Sequence, residues 1–556
     1  MPGRSGGTPA PTRMTRRALL AALAAVPAGC AVGPADRFGT SAPPAPPAPP
    51  AARLATGTPP AVPGLGAAPF TLGVASGDPL PDGVVLWTRL APEPLHGGGM
   101  PHEPVTIEWQ IATDERMRTV VQRGSAVARP ELGHAIHVEV EGLQPGRWYW
   151  YRFVAGGAES PIGRTRTAPA PGTPLDRLRF AFASCQHYGQ GYYAAYRHMA
   201  RQDLDVVVFL GDYIYEAPAA TDAVRPESKT EPVSLIQYRN KYGLYKSDPD
   251  LQAAHAQFPW IVTWDDHEVS NDYADDQSQY RDDRAWFLNR RAAAYRAYYE
   301  HMPLRRSSLM NMNGAGMRLY RRLRFGDLAE FNVVDDRQFR SHQPCAPLEK
   351  AGGNIVPDCA ERRDPRRTMF GLEQERWLTD GLARSTARWN VIAQQLLMAE
   401  LRMRRNGTAA FWTDGWDGYP AARERLLGFI ADRRPANPVV IGGDIHSYWV
   451  TDLKPNFEDA RAPVVATEFV GTSIASSGIP YERTRALLPE NPHVKFFDSR
   501  KRGYVRCEVT HARWLTDLIA VDNVREADAP ASTLASFVVE AGRPGALPVS
   551  PSLPGV

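Results

Sequence analysis

Phe209-Leu-Gly-Asp-Tyr-Ile-Tyr-Glu216 is the stretch whose reading decides the fold of this chain. It continues the apolar, β-branched run that opens at Asp205-Val-Val-Val, the composition of a parallel strand buried on both faces. A strand ending in Gly-Asp sets a carboxylate on a loop at the carboxyl edge of its sheet, where open α/β sheets bind ligands. Tyr215 follows closely, and its phenolate is a candidate ligand for a ferric ion. Taken alone, such a Gly-Asp is equally an ordinary strand-to-helix turn. It gains meaning because other strands of the chain end in the same way.

From residue 178 onward, apolar strands alternate with helical stretches, which predicts an α/β domain. Strands are expected at 178–183, 206–210, 260–263, 329–334, 391–394, 439–441 and 466–470, and helices at 192–201, 235–242, 283–300, 373–383 and 422–433. Metal- or phosphate-suited groups stand at five strand ends. They are Phe182-Ala-Ser-Cys185-Gln, Gly211-Asp212, Trp264-Asp265-Asp266-His267-Glu268 followed by Asn271-Asp272, Asp335-Asp336-Arg337, and Gly442-Gly443-Asp444-Ile-His446. At corresponding ends of neighbouring strands they would face one another across the top of a sheet, as a two-metal site for phosphate esters requires.

The 556 residues suit two or three domains, and 43% hydrophobic with 22% charged residues is the composition of a soluble globular protein. A net charge of +3 gives no case for nucleic acid, and no nucleic-acid-binding patch is evident in the sequence. Residues 1–30 read as a signal peptide: Arg16-Arg17, a short apolar run from Ala21 to Ala28, and no acid before Asp36. The paired arginines point to the twin-arginine export machinery, with a Sec signal as the alternative. Pro27-Ala-Gly-Cys30 resembles a lipoprotein cleavage site, which would put a lipid anchor on Cys30; ordinary cleavage near Ala28 is the competing reading. The expected location is therefore exported: periplasmic, tethered at the cell surface or outer membrane, or secreted. Residues 31–69 form a Pro/Ala-rich linker.

Short strands separated by turns across 70–167 predict a β-sandwich of the immunoglobulin or fibronectin kind, with Leu143-Gln-Pro-Gly-Arg-Trp-Tyr149 as its tyrosine corner. The catalytic domain is expected over 175–530 and a C-terminal tail over 531–556. Cys345 and Cys359 flank a Pro- and Gly-rich loop and are a candidate disulfide in an exported protein; Cys507 reads as a buried thiol.

The order Gly-Asp, Asp-His-Glu, Gly-Asp-x-His resembles the calcineurin-like metallophosphoesterase superfamily, and within it the PhoD-type alkaline phosphatase family. The hallmarks are Phe182-Ala-Ser-Cys-Gln186, Gly211-Asp-Tyr-Ile-Tyr-Glu216, Trp264-Asp-Asp-His-Glu268 and Gly443-Asp-Ile-His446. Similar blocks are Tyr242-Gly-Leu-Tyr-Lys-Ser-Asp-Pro-Asp-Leu251, Ala294-Tyr-Arg-Ala-Tyr-Tyr-Glu-His-Met-Pro303 and Asp336-Arg-Gln-Phe-Arg340. The resemblance implies an αββα metallophosphoesterase core behind the β-sandwich, and Fe3+ with Ca2+ beside it. Cys185, Tyr215 and His446 would hold iron, and Asp212 would bridge to calcium. Asp266 and Asp444, with Asn271 as a further candidate, would serve calcium, which takes oxygen ligands. His267 would approach the leaving oxygen, supported by Glu268, and Arg337 would offer phosphate a planar fork.

The implied activity is phosphate monoester hydrolysis at alkaline pH through metal-activated hydroxide or water. Phosphodiesterase or phospholipase D-type hydrolysis is the near alternative. A calcium-stabilised surface-binding protein without turnover is the third reading, and the intact set of ligand-type residues speaks against it. Plainer roles compete at several positions: Cys185 as a buried small hydrophobe, Asp265 as a helix cap, Glu268 as a helix-start acid, and Arg337 as the partner of Asp335 or Asp336.

Overall fold

The computed structural model describes residues 68–310 and 316–549. The signal peptide, Cys30 and nearly all of the linker lie outside the described residues. Two sheets stacked face to face form the centre. In the first, Leu178–Ala183, Val206–Phe209 and Pro259–Val262 run parallel, with Val208 in register with Phe182 on one side and Ile261 on the other. In the second, Ala329–Val333, Trp389–Ala393, Pro438–Gly442 and Ala466–Val470 run parallel.

The period-two alternation of each strand divides its side chains between two cores. Phe180, Phe182, Val206, Val208 and Ile261 meet Phe331, Val333, Val391 and Ile441 between the sheets. Ala181, Val207, Phe209 and Trp260 point the other way, into a layer with the helices Leu235–Lys246, Pro249–Gln257 and Arg284–His301. Helices Leu372–Arg384 and Pro420–Arg433 cover the far face of the second sheet through Leu378, Leu382, Leu427 and Ile430. The layer order is αββα. Each fully buried aliphatic or aromatic side chain contributes roughly 1.5–3 kcal/mol, so the double-sided burial explains why these strands are apolar throughout.

The N-terminal region is built onto this core. Val74–Leu80 pairs parallel to Pro259–Val262, and Gly83–Arg89 and Ala135–Val140 extend the same sheet, which reaches ten strands. A separate five-stranded sheet packs across them, burying Ile107, Ile111, Tyr151 and Phe153 against Val74, Val84 and Leu86. The Tyr149 hydroxyl accepts from the Gln144 backbone N–H at 2.9 Å, closing the corner. One sheet of the sandwich is therefore continuous with the catalytic sheet, although the chain order suggests a break near 167.

The far edge departs from expectation as well. Residues 531–556 read as a tail, but Ala531–Glu540 and Arg543–Pro548 are strands that finish the ten-stranded sheet. Phe537, Val539 and Ala546 enter the core between the sheets. The polar first half of the segment and the Gly and Pro after it hide that alternation in the sequence. Cys345 and Cys359 form a disulfide, and Cys507 is a buried thiol.

Candidate metal centre

Loops at the carboxyl ends of both central sheets converge on one pocket. The Cys185 backbone N–H donates to the Gly211 carbonyl and that of Gln186 to the Asp212 carbonyl, both at 3.1 Å, which stitches the first two loops together. Gly211 adopts φ +105°, and a side chain there would collide with Asp265. Glycine lets the second and third loops touch.

Cys185, Asp212, Asp444 and His446 have φ of 61°, 58°, 61° and 54°. Left-handed backbone at non-glycine residues costs on the order of 1–3 kcal/mol each and gathers at functional sites. Here it falls on four candidate ligands.

Two sets of donor atoms share Asp212. Ligand atoms of Cys185, Asp212 and His446 lie within 4.8 Å of one another, and the Tyr215 hydroxyl reaches both Asp212 and His446. The Tyr215 hydroxyl donates to Asp212 Oδ2 at 2.7 Å and lies 2.9 Å from His446 Nε2. His446 Nδ1 is 2.8 Å from the Ser477 carbonyl. A carbonyl only accepts, so Nδ1 carries the proton and the Nε2 lone pair faces the site, the usual arrangement of a metal-binding histidine. The second set, Asp212, Asp265, Asp266 and Asp444, also lies within 4.8 Å, and a third joins Asp266 to Asp272 and Asp414.

Burial, with Asp212 and Asp444 nearby, pushes the Cys185 thiol up, and burial raises Tyr215 and Asp212 too. In each of the three, burial works against the charged form, which a bound cation would favour. Thiolate, phenolate, imidazole and a shared carboxylate beside an all-oxygen set suit one ion that takes sulfur and nitrogen as well as oxygen ligands and one hard, oxygen-preferring ion, and cation binding would release ligand protons. The residues present fit the pair of metals that the family resemblance implies.

His267 stands beside both sets, with a ring nitrogen within 4.8 Å of Asp212 and Asp266 oxygens. Its supporting acid is Glu216, not Glu268: His267 Nδ1 lies 2.6 Å from Glu216 Oε2. Burial disfavours the charged ring, but Glu216, Asp266 and Asp212 outweigh it and raise its pKa to about 10. Nε2 has no hydrogen-bond partner among the described residues. Glu268 instead accepts the backbone N–H groups of Asp212, Tyr213 and Asp265 at 3.1, 2.6 and 2.9 Å, pinning the loops that carry the ligands. The sequence gives no sign of this exchange, because consecutive residues of a tight turn point in different directions.

Arg337 also differs from expectation. Its guanidinium is wholly buried, bound by Asp265 through Nε and by Asp414 at 2.8 Å through Nη1. Nη2 lies 3.5 Å from Asp444 and 3.8 Å from Asp266. It is neither an open fork for phosphate nor the partner of Asp335, which accepts the backbone N–H groups of Arg337 and Gln338 at 3.0 Å. The guanidinium is the countercharge beneath the acidic cluster. Asp265 belongs to that cluster and is no mere cap. Asn271 sits half-buried and gives its backbone N–H to Glu216 Oε1 at 2.7 Å. Asp414 has no role in the sequence reading, since it lies in a loop with no metal-motif signature, and Asp272 stands there only among the metal- or phosphate-suited groups after the third strand. Both are buried, Asp414 between Arg337 and Arg340, which hold its pKa down despite burial.

A PhoD-like phosphatase domain matches residues 180–518, and a PhoD-like phosphatase N-terminal domain matches 57–169. Alkaline phosphatase D of Bacillus subtilis (strain 168) is 49% identical over 498 residues, covering 88% of this chain and 84% of that protein. A solved structure of PhoD is 48% identical, superposes with a TM-score of 0.83, and covers 87% of this chain and 93% of its own. On the strength of both domain matches, this identity and the shared fold, the chain belongs to the PhoD-like phosphatase family.

Proposed function

We propose that this protein is an exported, metal-dependent alkaline phosphatase that hydrolyses phosphate monoesters. The observation that carries the reading is the pair of donor sets joined at Asp212, with the Glu216–His267 dyad beside them. Fe3+ would be held by Cys185, Asp212, Tyr215 and His446, and Ca2+ by Asp212, Asp266 and Asp444 with Asn271 near. The bound ions would supply Lewis acidity at the phosphoryl oxygens and lower the pKa of water.

The chain's own residues account for the rest of the chemistry. In-line attack of water on phosphorus expels the alkoxide or phenoxide, which needs a proton at the leaving oxygen. His267 carries that proton on Nε2, and Glu216 at Nδ1 fixes the ring's orientation and favours the charged form. Glu268 holds the ligand loops rigid, and Arg337 offsets the repulsion among buried carboxylates so that the cluster persists between turnovers. Export rests on the arginine pair and apolar run within residues 1–30, and tethering on Cys30.

The test compares hydrolysis of an aryl phosphate monoester with that of the matching diester by the mature chain at alkaline pH, before and after calcium chelation. Monoester preference that is lost on chelation and returns with calcium supports the proposal. Diester preference would move the activity to phosphodiesterase. Cleavage of neither by metal-replete protein would refute it.

A further inference from the structure

Tyr215 is held from behind by a residue that lies outside both donor sets. Its backbone N–H donates to the Tyr245 hydroxyl at 3.1 Å, and the Tyr188 N–H donates to the same oxygen at 3.2 Å. With both acceptor positions used, the hydroxyl's one proton goes to Glu227 Oε1, 3.2 Å away. Tyr245 lies on helix Leu235–Lys246, whereas Glu227 comes from the irregular segment 217–233 that follows the metal-binding loop. The Glu227 side chain is completely buried and anchored by Lys241 Nζ at 2.8 Å, itself only 3% exposed.

The same carboxylate reaches the ring side of Tyr215. Glu227 Oε2 is 3.6 Å from His187 Nδ1, and the His187 ring lies 4.6 Å from the Tyr215 ring, centroid to centroid. Room for Oε2 exists because residue 189 is glycine: a Cβ there would come within 2.6 Å of it. Segment 217–233 is fastened to the loop after Cys185 by the Val224 N–H to the Gly189 carbonyl at 2.7 Å, and by Arg225 Nε to the Tyr188 carbonyl at 2.9 Å. A buried ion pair used only to close a loop would cost more desolvation than it returns unless its geometry is exacting. This pair ends on the backbone of one candidate ligand and on the ring packed against that ligand.

We propose that Glu227 is a positioning residue for Tyr215: through the Tyr245 hydroxyl it sets the height of the Tyr215 backbone, and so the direction in which the phenolate meets its cation. The proposal rests on the reading of Tyr215 as a ferric ligand. It makes Glu227 a determinant of the reaction that acts through Tyr215.

The experiment uses the full mature protein loaded with iron and calcium. Glu227→Ala and Glu227→Gln are each combined with Lys241→Met, so that no unpaired ammonium is left buried, and Tyr245→Phe is made separately. Three properties are read: amide hydrogen exchange of peptide 212–216, the visible phenolate-to-iron absorption band, and kcat against KM for an aryl phosphate. In Glu227→Ala/Lys241→Met and in Tyr245→Phe, exchange should quicken by about tenfold as the Tyr215 N–H loses its ordered acceptor. The band should shift, and kcat should fall roughly tenfold or more with KM changed less than twofold. Glu227→Gln/Lys241→Met keeps an acceptor for Tyr245 and should restore all three towards wild type. Lower thermal stability with exchange, band and kcat unchanged would overturn the proposal, because Glu227 would then serve the loop alone. Equal loss in the Gln and Ala variants would also overturn it. A wild-type protein that binds iron without a phenolate band would instead refute the ferric reading of Tyr215, while faster exchange in the variants would still report the positioning contact.

Discussion

Glu268 shows how a residue can matter to a metal centre without being a ligand. It is fully buried and takes three backbone N–H groups from the two loops that carry Asp212 and Asp266. Glu268→Ala would leave all three donors without an acceptor. With about 1 kcal/mol or more lost at each, denaturant titration should record a loss of roughly 3 kcal/mol. The dyad gives a kinetic counterpart. His267→Gln should lower kcat by about 10²–10⁴, and less for leaving groups of low pKa, which depart without a proton. A loss independent of leaving-group pKa would assign His267 to ground-state structure. At this scale the sequence was a good guide to which side chains converge and a poor one to how they pair. Strand-end motifs mark Cys185, Asp212, Tyr215, Asp266, Asp444 and His446, because each closes an apolar run. Glu216 in place of Glu268, and Asp414 as a partner of Arg337, depend on loop contacts between segments far apart in the chain.

Among the elements, helix Leu235–Lys246 carries an unusual charge at its end. Lys246 is buried, with its ammonium 4.2 Å from the Trp87 ring centroid and 5.4 Å from that of Tyr213, where the N-terminal strands meet the catalytic helices. Burial lowers its pKa from 10.5 to about 7. The folded chain therefore releases this proton near pH 7, and the unfolded chain only near 10.5. Between those values the unfolded state binds more protons, so stability rises with pH. A shift of this size corresponds to a few kcal/mol. Lys246→Met should be more stable than wild type at pH 7 and should lose the increase between pH 7 and 10.5. Denaturant midpoints across that range are the check, and an unchanged slope would show that other groups set it. The disulfide loop makes a second prediction at this scale. Cys345 and Cys359 are 14 residues apart and close a loop whose Gly353 N–H donates to Asp272 Oδ2 at 3.0 Å. Replacing both by serine should cost about 3 kcal/mol, read as a lower melting temperature. Strands and long helices were legible because their periodicity spans several turns. Helix Pro249–Gln257 was not, since it is short and lacks an apolar stripe distinguishable from a loop.

For the whole molecule, the continuity of the first sheet is the feature the sequence concealed. Its strands come from the N-terminal region, the catalytic core and the last residues of the chain, and only the core is contiguous enough to be recognised by pattern. Removing residues 531–556 should therefore disrupt the fold. The deletion uncovers Phe537's and Val539's share of the core and the edge of Arg513–Val521, and an uncovered apolar edge strand favours aggregation. Soluble, fully active protein after that deletion would contradict the sheet assignment.

The proposed function requires a site in which two different cations share Asp212. The most direct measurement is the metal content of purified, active mature protein beside that of Cys185→Ala and Asp444→Ala. Such a shared site predicts iron and calcium together in the wild type, iron lost with calcium largely kept in Cys185→Ala, and the reverse in Asp444→Ala. Active wild-type protein containing neither metal, or variants that lose both ions to the same extent, would contradict it.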